Sequence, residues 1–337
     1  MSYIEFKNIK KSFGAKEVLK DVSLDVEEGE FVTFLGSSGC GKTTLLRCLA
    51  GLETIDTGSI FLDGKDITLS QAKDRGISMV FQQYSLFPTM NLYDNVSFGL
   101  RMTGLDKEAI DQQVNELLSM VELRDHLDKY PNQMSGGEQQ RAALARALVM
   151  KPKVLLLDEP FSAIDAKLRK ELQVHVKDLH KRLGMTTIFV THDQEEALTM
   201  SDKIFMFHDG VIEQSGSPEE IYIHPETKYA AGFIGSYNLV CPKDLKISSC
   251  DEGLMLAFRP EIVEISRGKY SEKRNYLYVS GRITKFYLQG NVTRMVVQTQ
   301  ENVEITVDKV SGLETDYAIG CEVYLRISND NIMRLSR

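Results

Sequence analysis

The sequence predicts an α/β domain with a mostly parallel sheet, followed by a small all-β, barrel-like domain. Three observations carry this reading. Short apolar runs at residues 31–35 and 154–157 have the composition of strands covered on both faces. They alternate with stretches of helical spacing, the pattern of a parallel sheet with crossover helices. After about Ser236 that spacing disappears, and short segments of period two take over between turn residues. The boundary is accordingly placed at 235/236: residues 1–235 form the first domain, with a helical subdomain at about 85–150, and residues 236–337 form the second.

Taken in order, residues 3–6 and 22–26 alternate as strands, and Glu28-Gly29 marks a turn before the apolar strand at 31–35. A glycine-rich loop comes at once after it, and residues 43–50 read as a helix. Residues 76–81 are another strand candidate, ending at Gln82. From 92 to 130 the chain is polar and helical, with Val114, Leu117, Leu118 and Val121 on one face. Ser135-Gly136-Gly137 opens a helix that runs through Arg146, ahead of the buried strand at 154–157. Then come a helix at 165–183, a strand at 186–191 and a helix at 194–200. Strands at 203–208 and 211–214 flank an Asp209-Gly210 turn, a strong hairpin signal. In the tail, residues 276–279 and 295–297 alternate, with turns at Gln289-Gly290-Asn291 and Ser311-Gly312. The chain has no internal repeat or low-complexity tract.

Composition narrows the function. With 337 residues, 42% hydrophobic and 26% charged, the chain resembles an ordinary globular protein. A net charge of −8 argues against a dedicated nucleic-acid binder, which usually carries a basic footprint. No uncharged apolar run reaches the roughly 18–20 residues a bilayer needs. The opening Met-Ser-Tyr-Ile-Glu-Phe-Lys lacks the basic and apolar regions of a secretion signal, so export is not expected. Five cysteines (Cys40, Cys48, Cys241, Cys250 and Cys321) are irregularly spaced without a C-x-x-C pair, and read as free packing thiols.

Chemistry concentrates in two places. Residues 36–43 (Gly36, Ser37, Ser38, Gly39, Cys40, Gly41, Lys42 and Thr43) fit the phosphate-loop pattern G-x-x-x-x-G-K-[ST] completely, and Thr44 continues it into the helix. Glycines let successive backbone N–H groups face phosphate oxygens, and the helix N-terminus adds partial positive charge. Lys42 reaches the β- and γ-phosphates, and the Thr43 hydroxyl is a Mg²⁺ ligand. Cys40 fills a free position of the motif. The second place is the strand at 154–157, which delivers Asp158 and Glu159 to the carboxyl edge of the sheet, where ligands bind in such folds. Asp158 is read as holding Mg²⁺, and Glu159 as orienting and deprotonating a water.

With both places read, the residues resemble the ATP-binding-cassette ATPases. Ser135-Gly136-Gly137-Glu138-Gln139-Gln140-Arg141 is similar to that family's signature, and it lies between the two nucleotide motifs as the family has it. Gln82 matches the Q-loop glutamine, Ser162-Ala163-Ile164-Asp165 the D-loop, and Thr191-His192-Asp193 the switch histidine. Phe13 falls where the family stacks an aromatic on adenine. The resemblance spans about residues 4–235 and departs from the common pattern at Met134, Glu138 and Phe13, the last standing in for tyrosine. Glu138 is expected to point away from the phosphate-facing helix start. The tail, with Ala257-Phe258-Arg259-Pro260-Glu261 and the junction Phe233-Ile234-Gly235-Ser236, resembles the OB/TOBE-like accessory domain of importer ATPases for sugars, polyamines, ferric ions, sulfate and phosphonates.

The resemblance implies ATP and Mg²⁺ as cofactors and a homodimer in which Ser135, Gly136, Gly137 and Asp165 of one chain close over the ATP of the other. It implies Glu159, His192 and Gln82 as the catalytic set, and Thr43, Gln82 and Asp158 around the metal. Implied partners are transmembrane permease subunits and, indirectly, a substrate-binding protein, with the chain peripheral on the cytoplasmic face of the membrane. Residues 84–88 are read as the permease-docking segment, or else as subdomain core. The transported molecule is narrowed by resemblance to a polyamine, ferric ion or phosphonate. A soluble cassette ATPase without a permease is the alternative; such proteins usually carry long coiled-coil insertions or tandem cassettes. His126, His175, His180, His208 and His224 are read as surface or packing residues, and Lys167, Arg169, Lys170 and Lys177 as a solvated helix face.

Overall fold

A computed structural model of the protein describes residues 2–82, 85–162, 164–245, 253–310 and 317–335. Tyr84, Ala163, Cys250 and the expected Ser311-Gly312 turn lie outside them. The chain divides into two compact units, Met1–Glu219 and Glu220–Arg337.

The first unit is built on a six-stranded sheet. Its strands are β3 (Phe31–Gly36), β6 (Ile77–Val80), β7 (Val154–Asp158), β8 (Thr186–Thr191), β9 (Lys203–His208) and β10 (Val211–Gly216), in the order β10-β9-β3-β8-β7-β6. All neighbours are parallel except the β9–β10 hairpin. Every residue of β3, β7 and β8 is buried, and alternate side chains serve opposite cores. Phe31, Leu155, Leu157 and Phe189 enter one core with most of the helices, whereas Val32, Phe34, Leu156 and Val190 enter the other with Leu45, Leu46 and Leu49. That two-sided burial is what the continuous apolar runs encode.

The second core is closed by a separate four-stranded antiparallel sheet, order β2-β1-β4-β5, from β1 (Ile4–Phe13), β2 (Lys16–Val26), β4 (Thr57–Leu62) and β5 (Lys65–Asp66). The sequence reading puts the opening strands ahead of a parallel sheet and misses β4 and β5. β4 opens on the exposed or half-buried Thr57-Gly58-Ser59 before three apolar residues, and β5 is two residues long, so little alternation is left to read.

Helices α1 (Lys42–Ala50), α2 (Leu92–Ser97), α3 (Lys107–Met120), α4 (Gly136–Leu148), α5 (Ala166–Leu183) and α6 (Gln194–Met200) complete this unit. The expected helical run over 92–130 is interrupted. Residues 98–106 hold a 3₁₀ turn at Leu100–Met102 and Gly104 at φ +78°, and Asp106 caps a new helix by accepting from the Ala109 N–H at 2.8 Å.

The second unit begins earlier than 235/236. Helix α8 (Lys228–Phe233), which comes after α7 (Pro218–Ile223), packs on β11 (Asn238–Val240). The Tyr237 hydroxyl bonds the Tyr222 and Ile223 carbonyls at 3.2 and 3.3 Å, so residues 222–237 cohere with the second unit. The rest is all-β. A three-stranded sheet joins β11, β12 (Met255–Phe258) and β18 (Met333–Leu335). A five-stranded one, β13-β17-β14-β15-β16, joins β13 (Glu264–Ser266), β14 (Tyr276–Gln289), β15 (Val292–Thr299), β16 (Glu304–Val310) and β17 (Glu322–Ser328). Phe258, Ile283, Val297, Ile305, Val307, Leu325 and Ile327 fill the core of this half-barrel.

Candidate active site

Four adjacent strands, β3-β8-β7-β6, end at one carboxyl edge, and each hands the chain to a loop carrying an expected site residue. Leu35 lies opposite Thr191, Asp158 opposite Val190 and Val80 opposite Leu157. The register alone therefore brings the glycine loop, His192, Glu159 and Gln82 to one edge.

The glycine loop is shaped by close approach. A Cβ on Gly36, at φ +154°, would stand 2.3 Å from the Phe207 carbonyl oxygen. One on Gly41, at φ +108°, would stand 2.9 Å from that of Val18. Neither site admits a side chain. Ser37, Ser38 and Gly39 are exposed, whereas Cys40 is buried. Lys42 folds back into the loop: it is 4% exposed, and its Nζ donates to the Gly36 and Ser37 carbonyls at 2.7 and 2.8 Å. Thr43 and Thr44 stand half-buried in the first turn of α1.

The Thr43 hydroxyl donates to Asp158 Oδ1 at 2.8 Å. Burial pushes the Asp158 carboxyl above its ordinary range, and the Thr43 hydrogen bond opposes that shift. These are hard oxygen donors around an under-compensated buried carboxylate, an arrangement that fits Mg²⁺.

Glu159 departs from ordinary backbone, with φ +44°, and its N–H donates to the Val190 carbonyl at 3.0 Å. A non-glycine residue in the left-handed region costs on the order of 1 kcal/mol or more and persists where surroundings impose it. Its carboxylate gathers the rest. Gln82 Nε2 donates to Glu159 Oε2 at 3.3 Å and reaches Ser162 Oγ at 3.4 Å, while Ser162 Oγ donates to the Glu159 carbonyl at 3.0 Å. His192 Nδ1 stands 3.4 Å from the same Oε2, its ring half exposed.

Phe13, 49% exposed at the end of β1, carries Lys11 Nζ over its ring at 5.0 Å. Lys11 is itself held by Glu53 at 3.0 Å and Asp56 at 3.6 Å.

Ser135, Gly136 and Gly137 stand apart from this convergence. Among the described residues, no hydrogen bond or ion pair joins them to residues 36–44. Ser135 caps α4 in a reciprocal box: its Oγ accepts from the Glu138 N–H at 3.3 Å, and Glu138 Oε2 accepts from the Ser135 N–H at 2.7 Å. A Cβ on Gly136 would meet nothing within 4 Å, whereas one on Gly137 would stand 2.6 Å from Leu168 Cδ2. Asp165 spends a carboxylate oxygen on the Lys167 and Leu168 N–H groups, capping α5.

One residue expected on a solvated face belongs to the site's frame. Arg169 Nη2 donates to the Ile164 carbonyl at 3.1 Å and Nη1 reaches Asp193 Oδ2 at 3.4 Å, tying the turn before Asp165 to the turn bearing His192. Lys177 likewise donates to the Thr199 carbonyl at 2.7 Å, and Lys170 pairs with Glu195 at 3.2 Å. Helical spacing places all three on one face, and nothing local shows that α6 packs beside it.

Comparison with known proteins adds independent findings. Residues 19–162 match the family model described as ABC transporter, and residues 256–335 match that described as TOBE domain. The spermidine/putrescine import ATP-binding protein PotA of Vibrio parahaemolyticus is 43% identical, over 95% of this chain and 91% of that protein. PotA of Thermotoga maritima is 40% identical, over 91% and 89% respectively. Among solved structures, cbiO1 from Clostridium perfringens, part of the cbiONQ ABC transporter complex, has 30% identity and a TM-score of 0.63, covering 66% of this chain and 91% of that one. A dimeric ATP-binding cassette in a post-hydrolysis state with ADP and Pi has 32% identity and a TM-score of 0.58, covering 64% of this chain and 98% of that one.

Proposed function

This chain belongs to the ABC transporter family, as an ATP-hydrolysing importer subunit with a TOBE domain, and from that premise we propose how its residues divide the work and what it helps to import. The observation that carries the catalytic reading is the meeting of Gln82 and His192 on one carboxylate oxygen of Glu159, beside the Thr43–Asp158 pair.

In the proposed cycle, ATP draws Lys42 off the Gly36 and Ser37 carbonyls onto its β- and γ-phosphates, and the N–H groups of residues 36–44 cradle them. Phe13 stacks on adenine, for which the ring face suffices. Thr43, Asp158 and Gln82 would hold Mg²⁺, whose chemistry there is neutralisation of phosphate charge. Glu159 takes the proton of a water, and the water oxygen attacks the γ-phosphorus as the bond to the ADP oxygen breaks. His192 orients that water against the γ-phosphoryl group. Ser135, Gly136, Gly137 and Asp165 act on the ATP of a second copy, so each site is completed only in a homodimer.

The imported molecule is proposed to be a polyamine rather than a ferric ion or a phosphonate, on likeness to the spermidine/putrescine proteins. Among the described residues no helix is long and apolar enough to cross a membrane. Permease subunits would therefore carry the passage, with this chain on their cytoplasmic face and a capture protein outside. Phe87, 36% exposed, packs its ring on Phe98 at 4.9 Å and lies under Arg146 at 5.2 Å, a surface suited to a permease helix.

Glu159→Gln tests the assignment. Turnover should fall on the order of 10³-fold or more while ATP still binds and holds a dimer; hydrolysis at the unaltered rate would refute it. Uptake of labelled spermidine by cells carrying this chain with its permease tests the cargo.

A further inference from the structure

Glu138 sets a carboxylate at the start of the helix meant to meet a triphosphate, where an uncompensated negative charge would oppose the ligand. Its surroundings answer that difficulty. Oε2 is turned back onto the Ser135 N–H at 2.7 Å, while Oε1 stands 3.1 Å from His126 Nδ1 and 3.3 Å from Lys129 Nζ. The side chain is 17% exposed, and the Ser135 backbone hydrogen bond first, with Lys129, holds its pKa down at about 2. The Ser135 Oγ in turn accepts from the Glu138 N–H at 3.3 Å, beside a Gly136 whose Cβ position is open.

The two bases come from a segment with its own anchorage. The Leu92 N–H donates to the Lys129 carbonyl at 2.8 Å, and the Tyr93 N–H to the Leu127 carbonyl at 3.0 Å, fixing residues 127–129 to the start of α2. One turn on, Asn95 is 1% exposed; its Oδ1 accepts from the Phe87 N–H at 2.8 Å and its Nδ2 donates to the Phe87 carbonyl at 3.1 Å. A continuous run of bonds therefore leads from Phe87 through α2 and Lys129 to the Ser135 amide.

We propose that Lys129, with His126 beside it, is a positioning residue for the signature: it holds Glu138 against the Ser135 amide and cancels its charge, so that the capped serine and glycines can receive the partner copy's γ-phosphate. The proposal rests on the composite-site reading above.

A double-mutant cycle in the Glu159→Gln background tests it, reading the ATP concentration at half-maximal dimerisation by light scattering. Lys129→Met should raise that concentration about tenfold, because a part-buried carboxylate loses its partner. ATP binding by the monomer, monitored with a fluorescent analogue at protein concentrations too low to dimerise, should stay unchanged. Lys129→Arg should restore dimerisation, and Glu138→Gln should render Lys129→Met nearly silent. An unaffected Lys129→Met dimer, or equal loss with and without Glu138→Gln, overturns the proposal; the latter would mean that Lys129 touches the nucleotide itself. Ser135→Arg is the control on the underlying reading. If it too leaves dimerisation unchanged, the composite site fails and the proposal with it; a weakened Ser135→Arg dimer beside an unaffected Lys129→Met dimer sinks the proposal alone.

Discussion

The glycine loop and the signature are both helix N-termini that start with glycine, yet their surroundings differ. Around the first, β3, β6, β7 and β8 bring in Gln82, Asp158, Glu159 and His192, and Lys42 is already folded inside. Around the second lie a reciprocal cap, an open Gly136 and a compensating Lys129, with His126 beside it. On the proposed reading, one helix start has the groups that break a phosphoanhydride bond and the other has only groups that receive an anion. The difference makes them complementary halves in that proposal, each partnered by another copy.

Three substitutions break or sharpen that contrast. Lys42→Ala strikes the equipped half and should lower hydrolysis on the order of 100-fold or more, with weaker nucleotide binding in titrations of the single chain. Arg169→Gln strikes the frame, freeing the turn before Asp165 from the His192 turn. It should lower kcat about tenfold, leave KM for ATP within about twofold, and shift Tm little. Glu138→Gln touches the receiving half through pH. The Glu138 pKa is depressed in the folded chain to about 2, so its stabilisation is full above the unfolded carboxylate value of roughly 4.3 and is lost as pH falls towards 2. The stability gap between the unaltered chain and Glu138→Gln, about 1 kcal/mol for a cap, should therefore close over that window in denaturant titrations.

The same contrast runs through what could be read from sequence. The equipped half was legible because its parts sit at strand ends: residues 31–35 and 154–157 are apolar runs, 76–81 and 186–191 read as strands, and the residue after each is polar or glycine. The parallel register then makes convergence unavoidable. The receiving half was legible as a motif, but not its compensation, because His126 and Lys129 lie nine or more residues ahead of Glu138 and reach it only after 3₁₀ turns fold residues 124–133 back. Arg169 escaped for the same reason, its partners being in other elements. β4 and β5 escaped because β5 is two residues long and β4 opens on Thr57-Gly58-Ser59 before its three apolar residues.

The central claim, that each site is shared by two chains, is tested most directly by mixing. Chains with Lys42→Ala and chains with Ser135→Arg should each be inactive alone. Mixed one to one, half the dimers would pair an intact loop with an intact signature, and hydrolysis should return to on the order of a tenth to a quarter of the unaltered rate. A mixture as inactive as its components, or a Ser135→Arg chain that hydrolyses ATP at full rate alone, would contradict the account.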